Sequence, residues 1–537
     1  NSDFPLMRNG DSYLYNVLLP EDNRTGYFTK FYHEQNVNNI IINPKELLTY
    51  KYEILHGQKY SKNSECKIQI DSNCLIPFSI VNKDESNAQS DRYNAKLSTN
   101  DKEYLFQNLS QNRFHYFPIK KKSDIKIICN FDFIVGTPLK LQQEKRHKRR
   151  LVLNIFIDGL ASEIFKLEPI KDLMPNTYEF FQSGSIMLNA TTNADWTDPS
   201  VPSIFSGLHS INHRVFDEQS PNIGCDYKLI SEFFQEDDYL TAQFCSNYGK
   251  TPSGGYTKGF DRTIYKRSMT VDLIVNSFLE HIRTFEKRDN FIWLSILDLH
   301  HFLDIVPGIS TQSLVDLEHH DYKDVKSKAV VGAYNMSRTK RFMEELRRID
   351  FYLKIIFDYI SNNYKKDEFI VSICSDHGQP YITHEKPLFS RQRTGVPFMI
   401  RSSEVEHGNL DQRIDNIDIL PTILSLSEIR FNPRQFDGVV PKILGGKIDR
   451  KYSYVESLFD GKPYTVAIID DEHRFYFETK DKVSGNKLFT FDEYNLKLVN
   501  SKTDIDETER YQDKVNKYVG IIREHILNSR YYKDLHH

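Results

Sequence analysis

Phe369-Ile370-Val371-Ser372-Ile373-Cys374-Ser375-Asp376-His377-Gly378 is the stretch that decides the fold. Its first six residues form an apolar run of strand length. A carboxylate and an imidazole follow side by side at the C-terminal end of that strand, with a glycine behind them. Oxygen and nitrogen donors on adjacent residues at the rim of an α/β sheet suit a divalent metal. Asp-His-Gly alone is a weak signal. Its weight depends on whether other strands bring partners to the same crevice.

Two further apolar runs read as strands, Leu151–Ile157 and Phe291–Leu297. Between the second of these and Phe369, the segment from Ala333 to Tyr364 carries Met343, Leu346, Ile349, Leu353, Ile356 and Tyr359 at spacings of three and four. That period predicts a long amphipathic helix. Strands alternating with helices imply an α/β fold, a doubly wound and mostly parallel sheet with helices on both faces. The first ~145 residues differ: short runs such as Lys67-Ile68-Gln69-Ile70 and Ile125–Phe131 stand between Asn/Ser/Asp/Lys turns. They predict a β-rich accessory domain over residues 1–147. The basic run Lys145–Arg150 reads as a solvated linker. Residues 148–537 then form the second domain, with a strand-rich part over 448–500.

A chain of 537 residues can bury a large core. Its net charge of -4 gives no case for nucleic acid as a partner. No apolar run approaches the ~18 residues of a membrane span. No signal peptide is visible, which favours the cytoplasm, although the chain begins at Asn1 rather than Met and a processed leader stays open. None of the six cysteines forms a Cys-x-x-Cys pair, which argues against a thiolate zinc site. Cys66 and Cys74 are placed to close a loop in an oxidising compartment, and scattered free thiols fit the spacing equally well.

All three strands end in acidic residues or Asp/His clusters: Ile157-Asp158-Gly159, Leu297-Asp298-Leu299-His300-His301 and Ser375-Asp376-His377-Gly378. In a doubly wound sheet such ends converge on one crevice. A single Asp after a strand is ordinarily a cap or turn residue, but three together are harder to dismiss. A fourth element is Asp195-Trp196-Thr197-Asp198-Pro199-Ser200, ahead of an apolar helical turn that closes on Gly207. Pro199 presets the first helical turn. The Thr197 hydroxyl would sit at the helix N-terminus, where amides and dipole favour an anion. It then reads either as an N-cap or, beside a metal, as an activated nucleophile.

The order Asp158-Gly159, Trp196-Thr197-x-Pro199-Ser200, Asp298-x-His300, Ser375-Asp376-His377-Gly378 resembles the alkaline phosphatase superfamily, in its sulfatase-like branch. Ile349-Asp350-Phe351-Tyr352-Leu353, Thr383-His384-Glu385-Lys386, Ile417-Asp418-Ile419-Leu420-Pro421-Thr422 and Asp437-Gly438 agree with it, and the likeness runs from about Leu151 to Asn500. The resemblance implies phosphate or sulfate ester cleavage through a covalent intermediate, with one or two divalent metals. Carried over by position, Asp158, Asp376 and His377 would be metal ligands, and Thr197 both ligand and nucleophile. His300, His384 and Lys386 would contact the substrate's non-bridging oxygens or protonate the leaving group.

Departures from that pattern sharpen the expectation. Sulfatases need a Cys or Ser convertible to formylglycine, followed by Pro and Arg. Thr197 cannot be converted, and Val201 stands where the arginine would be. The alternative register, Ser200-Val201-Pro202-Ser203, puts Pro202 five residues before Gly207, where the family spacing is eight. Phe302, four residues after Asp298, breaks the second ligand set of two-metal members. One metal is therefore favoured, with Asp298 keeping a second open, and Zn, Mn, Mg and Ca all suit the donor set. The expected function is metal-dependent hydrolysis of a phosphate ester through phospho-threonine, acting on a phosphorylated small molecule, glycan or lipid head group. The alternatives are a phosphoethanolamine- or phosphoglycerol-type transferase, a sulfatase, or a catalytically degenerate binding protein. A homo-oligomer stays open.

Overall fold

The computed structural model describes residues 6–9, 12–15, 25–32, 51–81, 95–107, 109, 113–144, 146–216, 223, 226–246, 254–266, 268–300, 334–382, 389–484 and 489–535. The architecture is a large mixed sheet flanked by helices, with additional N-terminal β-sheet structure. The chain divides into two compact units. The first comprises Asn1–Val152 with Ser231–Ser295, the second Leu153–Ile230 with Ile296–His537.

In the first unit, Thr25–Tyr32 pairs antiparallel with Lys51–Tyr60, which pairs antiparallel with Arg262–Tyr265. The pairing turns parallel from there, through Leu240–Cys245 to Asn290–Ile296. The helix Val271–Thr284 supplies the crossover that parallel strands require. A separate antiparallel sheet joins Glu65–Ile70, Ser123–Cys129, Ala95–Ser98 and Glu103–Phe106. Ile125, Ile127 and Cys129 alternate inward along its second strand, as the period-2 reading of that run requires. Cys66 and Cys74 are buried free thiols, so they close no loop. Burial pushes the thiol of each upward and keeps it inert.

The second unit holds the strand ends that matter. Phe369–Cys374 is buried along its whole length, as is Leu151–Ile157. Inside this layer the Ser372 hydroxyl donates to Asn154 Oδ1 at 2.7 Å, which pairs two polar groups that would otherwise be costly to bury. Gly395–Arg401 pairs antiparallel with Phe369–Cys374 and with Ser185–Thr191. The reason lies in the loop between them: Gly378 N–H donates to Arg393 C=O at 2.7 Å, so the chain re-enters the sheet from the end where it left.

The helix Met336–Asn363 begins at Asn335, whose side chain caps the Arg338 amide at 2.9 Å. Leu346, Ile349, Leu353 and Ile356 are fully buried as the period predicts, Met343 and Tyr359 are only half-buried, and Phe342 and Ile360 complete the stripe. A four-stranded antiparallel sheet over Ser453–Asn500 completes the unit. The helix Gln512–Asn528 packs Val515, Tyr518, Ile522 and Ile526 on it, against Phe475, Phe477 and Leu498 among others. Each fully buried aliphatic or aromatic side chain contributes roughly 1.5–3 kcal/mol.

Candidate metal centre and nucleophile

Asp158, Asp376 and His377 are buried and present one ligand atom each, all within 4.8 Å of one another. The strands dictate this. Asp158 leaves Leu151–Ile157 into a turn closed by Gly159, whose φ of 70° favours glycine. A Cβ on Gly159 would lie 2.2 Å from Gln379 Nε2. Asp376 leaves Phe369–Cys374 one residue beyond Ser375, and the two turns are stitched together. Gly159 N–H donates to Asp376 Oδ1 at 2.9 Å, and Leu160 N–H donates to Ser375 Oγ at 2.8 Å.

These bonds leave a specific set of atoms facing inward. Asp376 Oδ1 also accepts from the His377 amide at 3.0 Å, while Oδ2 is buried without a hydrogen bond of good geometry. His377 Nδ1 lies 2.8 Å from Gly378 C=O, and a carbonyl can only accept, so Nδ1 carries a proton. Nε2 then faces Asp376 Oδ2 at 3.4 Å, Asp158 Oδ1 at 3.9 Å and the Thr197 hydroxyl at 3.1 Å. A histidine pinned through one nitrogen to a carbonyl and presenting the other is the usual posture of a metal ligand. The donor set therefore fits a divalent cation of the Zn, Mn, Mg or Ca class.

The electrostatics agree. Burial and the neighbouring Asp158 push Asp376 above the ordinary carboxylate range. Burial alone would push His377 down, but Asp376 and Asp158 outweigh it and its net shift is upward. Two carboxylates share this buried space with a single imidazole, and a cation relieves their repulsion.

Thr197 is the first residue of the helix Thr197–Ser206. Trp196 holds the N-cap position and makes no side-chain cap bond, so the threonine is not spent on capping. Ser200, the convertible serine of the alternative register, is fully buried one turn along. It accepts from Thr192 Oγ1 at 3.1 Å and donates to Ala194 C=O at 3.3 Å. His213 is likewise internal: its Nδ1 accepts from Val215 N–H at 3.1 Å, so its Nε2 donates to Pro199 C=O at 3.1 Å. Burial lowers its pKa to about 4.

Asp298 lies elsewhere in the hydrogen-bond network. Its Oδ1 accepts from Arg348 Nη1 at 2.7 Å, and the same nitrogen donates to Glu345 Oε1 at 2.6 Å. Burial and Asp298 push Glu345 up to about 7. Asp298 is thus not in the Asp158/Asp376/His377 group. His300 is half-buried in the following turn, where its amide donates to Leu297 C=O at 2.9 Å. His301, His384 and Lys386 lie outside the described residues.

Two residues of the site escaped the sequence reading. Arg393 accepts from Gly378 N–H through its carbonyl and donates through Nη1 to Asp195 Oδ2 at 3.1 Å. It thereby ties the Asp-His-Gly turn to the segment that enters Thr197. Asp195 is buried and its pKa is raised by that burial, against the opposing pull of Arg393 and His377. The tryptophan-threonine motif beside Asp195 was its only signal, and Arg393 sits in the short helical turn Arg391–Thr394, which offers none.

A buried Asp/Asp/His cluster at strand ends, with a helix-terminal hydroxyl beside it, is a candidate metal centre in an α/β fold of the alkaline phosphatase type. The sulfatase family model matches residues 150–429, and the chain belongs to the sulfatase family. The fold is similar to the phosphonate monoester hydrolase from Silicibacter pomeroyi, at 13% identity and a TM-score of 0.54 over 71% of this chain and 96% of that one. The phosphonate monoester hydrolase of Agrobacterium radiobacter is comparable, with 14% identity, a TM-score of 0.54, and 70% and 95% covered. A protein solved with its substrate D-glucosamine-2-N,6-O-disulfate gives 12% identity, a TM-score of 0.54, and 73% and 99% covered. No curated protein matches the chain in sequence.

Proposed function

We propose that this protein hydrolyses a phosphorus ester, with Thr197 as nucleophile at a centre of Asp158, Asp376 and His377. The observation that carries the reading is the Thr197 hydroxyl, 3.1 Å from His377 Nε2 at the cluster. Asp158, Asp376 and His377 would hold a divalent ion, which would supply Lewis-acid charge to the reaction. Thr197 Oγ1 attacks phosphorus in line, the bond to the leaving oxygen breaks, and the threonine proton ends on the departing alcohol. Water then attacks the phospho-threonine, the Oγ1–P bond breaks, and a proton from water returns to Thr197. The N-terminus of the helix Thr197–Ser206, where Thr197 stands, carries the partial positive charge of the helix dipole, which suits the charge that develops. His300, His384 and Lys386 take the roles of oxygen contact and leaving-group acid by family position. Asp298, engaged by Arg348, favours a single ion.

A phosphate or phosphonate ester fits a threonine, which no oxidation turns into the aldehyde that sulfate chemistry needs in this family. A saccharide or lipid head group serves as the alcohol part. Among the described residues no helix is long and apolar enough to cross a membrane. The test is a panel of phosphate monoesters, diesters, phosphonate monoesters and sulfate esters, run after chelation and metal add-back. Metal-restored turnover of a phosphorus ester, abolished at least 10³-fold in Thr197→Ala, is expected. Turnover of sulfate esters alone, or an unaffected Thr197→Ala variant, overturns the proposal.

A further inference from the structure

A pocket of about 430 Å3 opens beside the metal centre's supporting turn and contains none of Asp158, Thr197, Asp376 or His377. Its volume falls in the range of small-molecule sites, roughly 300–1,000 Å3. The chain from Asp158 reaches it within four residues, since Ser162 lines it. Apolar surface comes from Phe165, Pro169, Ile170, Tyr178, Ile186 and Leu188. Five polar residues of the lining, Lys166, Glu163, Arg391, Asn189 and Asp411, are linked into one chain. Lys166 Nζ donates to Glu163 Oε2 at 2.8 Å, and Arg391 Nε donates to Glu163 Oε1 at 2.9 Å. Arg391 Nη2 donates on to Asn189 Oδ1, whose Nδ2 donates to Asp411 Oδ1.

Three features narrow the ligand. Apolar and aromatic walls facing fixed, planar hydrogen-bonding side chains suit an amphipathic ring with polar substituents at its edge, which describes a sugar. The Ser162 hydroxyl is buried and has no hydrogen-bond partner, a state that costs free energy until a ligand or water satisfies it. Finally, Lys166 and Arg391 share the single Glu163 carboxylate, and Lys171 on the rim has no ion pair among the described residues, so the lining cations outnumber Glu163 and Asp411. A spare ammonium at the mouth of a sugar-shaped pocket selects an anionic substituent.

We infer that this pocket is an accessory binding site for an acidic saccharide unit, separate from the catalytic centre. The helical turn Arg391–Thr394 braces both places, because Arg391 belongs to the pocket and Arg393 to the Asp195 contact. The inference does not depend on which ester is cleaved. Glucuronic acid is the probe, since it carries no ester to hydrolyse, and glucose is its neutral counterpart.

Saturation-transfer NMR on the full chain should show saturable glucuronate binding at least tenfold tighter than glucose. Lys171→Glu, on an exposed side chain, should weaken glucuronate at least tenfold with thermal stability and turnover unchanged. Ser162→Ala should weaken both sugars, and Asp376→Ala should weaken neither. Absence of saturable glucuronate binding overturns the inference. So does binding that survives Lys171→Glu and disappears in Asp376→Ala, which would put the sugar in the catalytic crevice.

Discussion

Gly378→Ala is a test of whether the Asp-His-Gly turn is held as tightly as the centre requires. A Cβ at this position would lie 1.9 Å from Gln392 C=O and 2.8 Å from its carbonyl carbon. Ordinary Cβ contact begins near 3.4 Å, so the two backbones must separate by about 1.5 Å. No flexible side chain can absorb that movement, because the obstacle is main chain. The separation strains the Gly378 N–H bond to Arg393 C=O, and Gly378 C=O is what fixes His377 Nδ1.

Overpacking of this kind costs about 1–3 kcal/mol in stability. A misplacement of about 1 Å at a reacting group costs on the order of 10²-fold in rate, or about 2.7 kcal/mol of barrier. The expected signature is therefore a fall in kcat/KM of at least 100-fold with weakened metal retention, while the thermal transition remains cooperative. Metal content by mass spectrometry and turnover on the best ester of the panel read the two effects. A Gly378→Ala protein that keeps wild-type metal content and stays within twofold in rate would refute the reasoning.

Two other perturbations address the supports of the second unit. Asp350→Ala should destabilise the protein by about 2–4 kcal/mol. The buried carboxylate accepts from Asn176 N–H at 3.1 Å and from Asn176 Nδ2, Thr177 N–H and Thr177 Oγ1 at 2.7 Å each, all at the start of the helix Pro175–Phe181; a thermal midpoint within 1 °C of wild type would contradict this role. His525→Gln tests a buried pair in which burial pushes the imidazole down and Glu456 more than compensates, raising it above 6.5. A raised histidine contributes its full stability below its unfolded pKa and loses it as pH climbs through the folded value. His209, held far below its ordinary value by burial and by His525, faces the same pair, as do Tyr454, Tyr464 and Asp437. The stability difference between wild type and His525→Gln should accordingly narrow from pH 6 to pH 9, and a constant or widening difference in thermal melts over that interval would exclude the pair's contribution.

How much of this was legible in the sequence follows from how far apart the deciding groups lie. The convergence of Asp158, Asp376 and His377 was legible because a buried strand fixes where its C-terminal residues emerge, and both strands announce themselves as unbroken apolar runs. The inward stripe of Met336–Asn363 was legible for the same reason, since period 3.6 is a local property. Asp298 follows an equally clear strand, yet its carboxylate is taken by Arg348, fifty residues onward on a helix. Strand position fixes the backbone of such an aspartate; a cation on a distant helix decides its partner.

Thr197 shows the same division from the other side. Its sequence permitted a cap or a nucleophile, and helix propensity cannot separate them. The proposed choice rests on His377, 180 residues away, whose Nδ1 is committed to a carbonyl and whose Nε2 is thereby left facing the threonine. Once Trp196 takes the cap position, the hydroxyl is placed with the cluster and not with its own helix. The proposed nucleophile role therefore rests on a hydrogen-bond constraint at His377, and the same constraint makes Gly378 the residue whose alteration the centre should tolerate least.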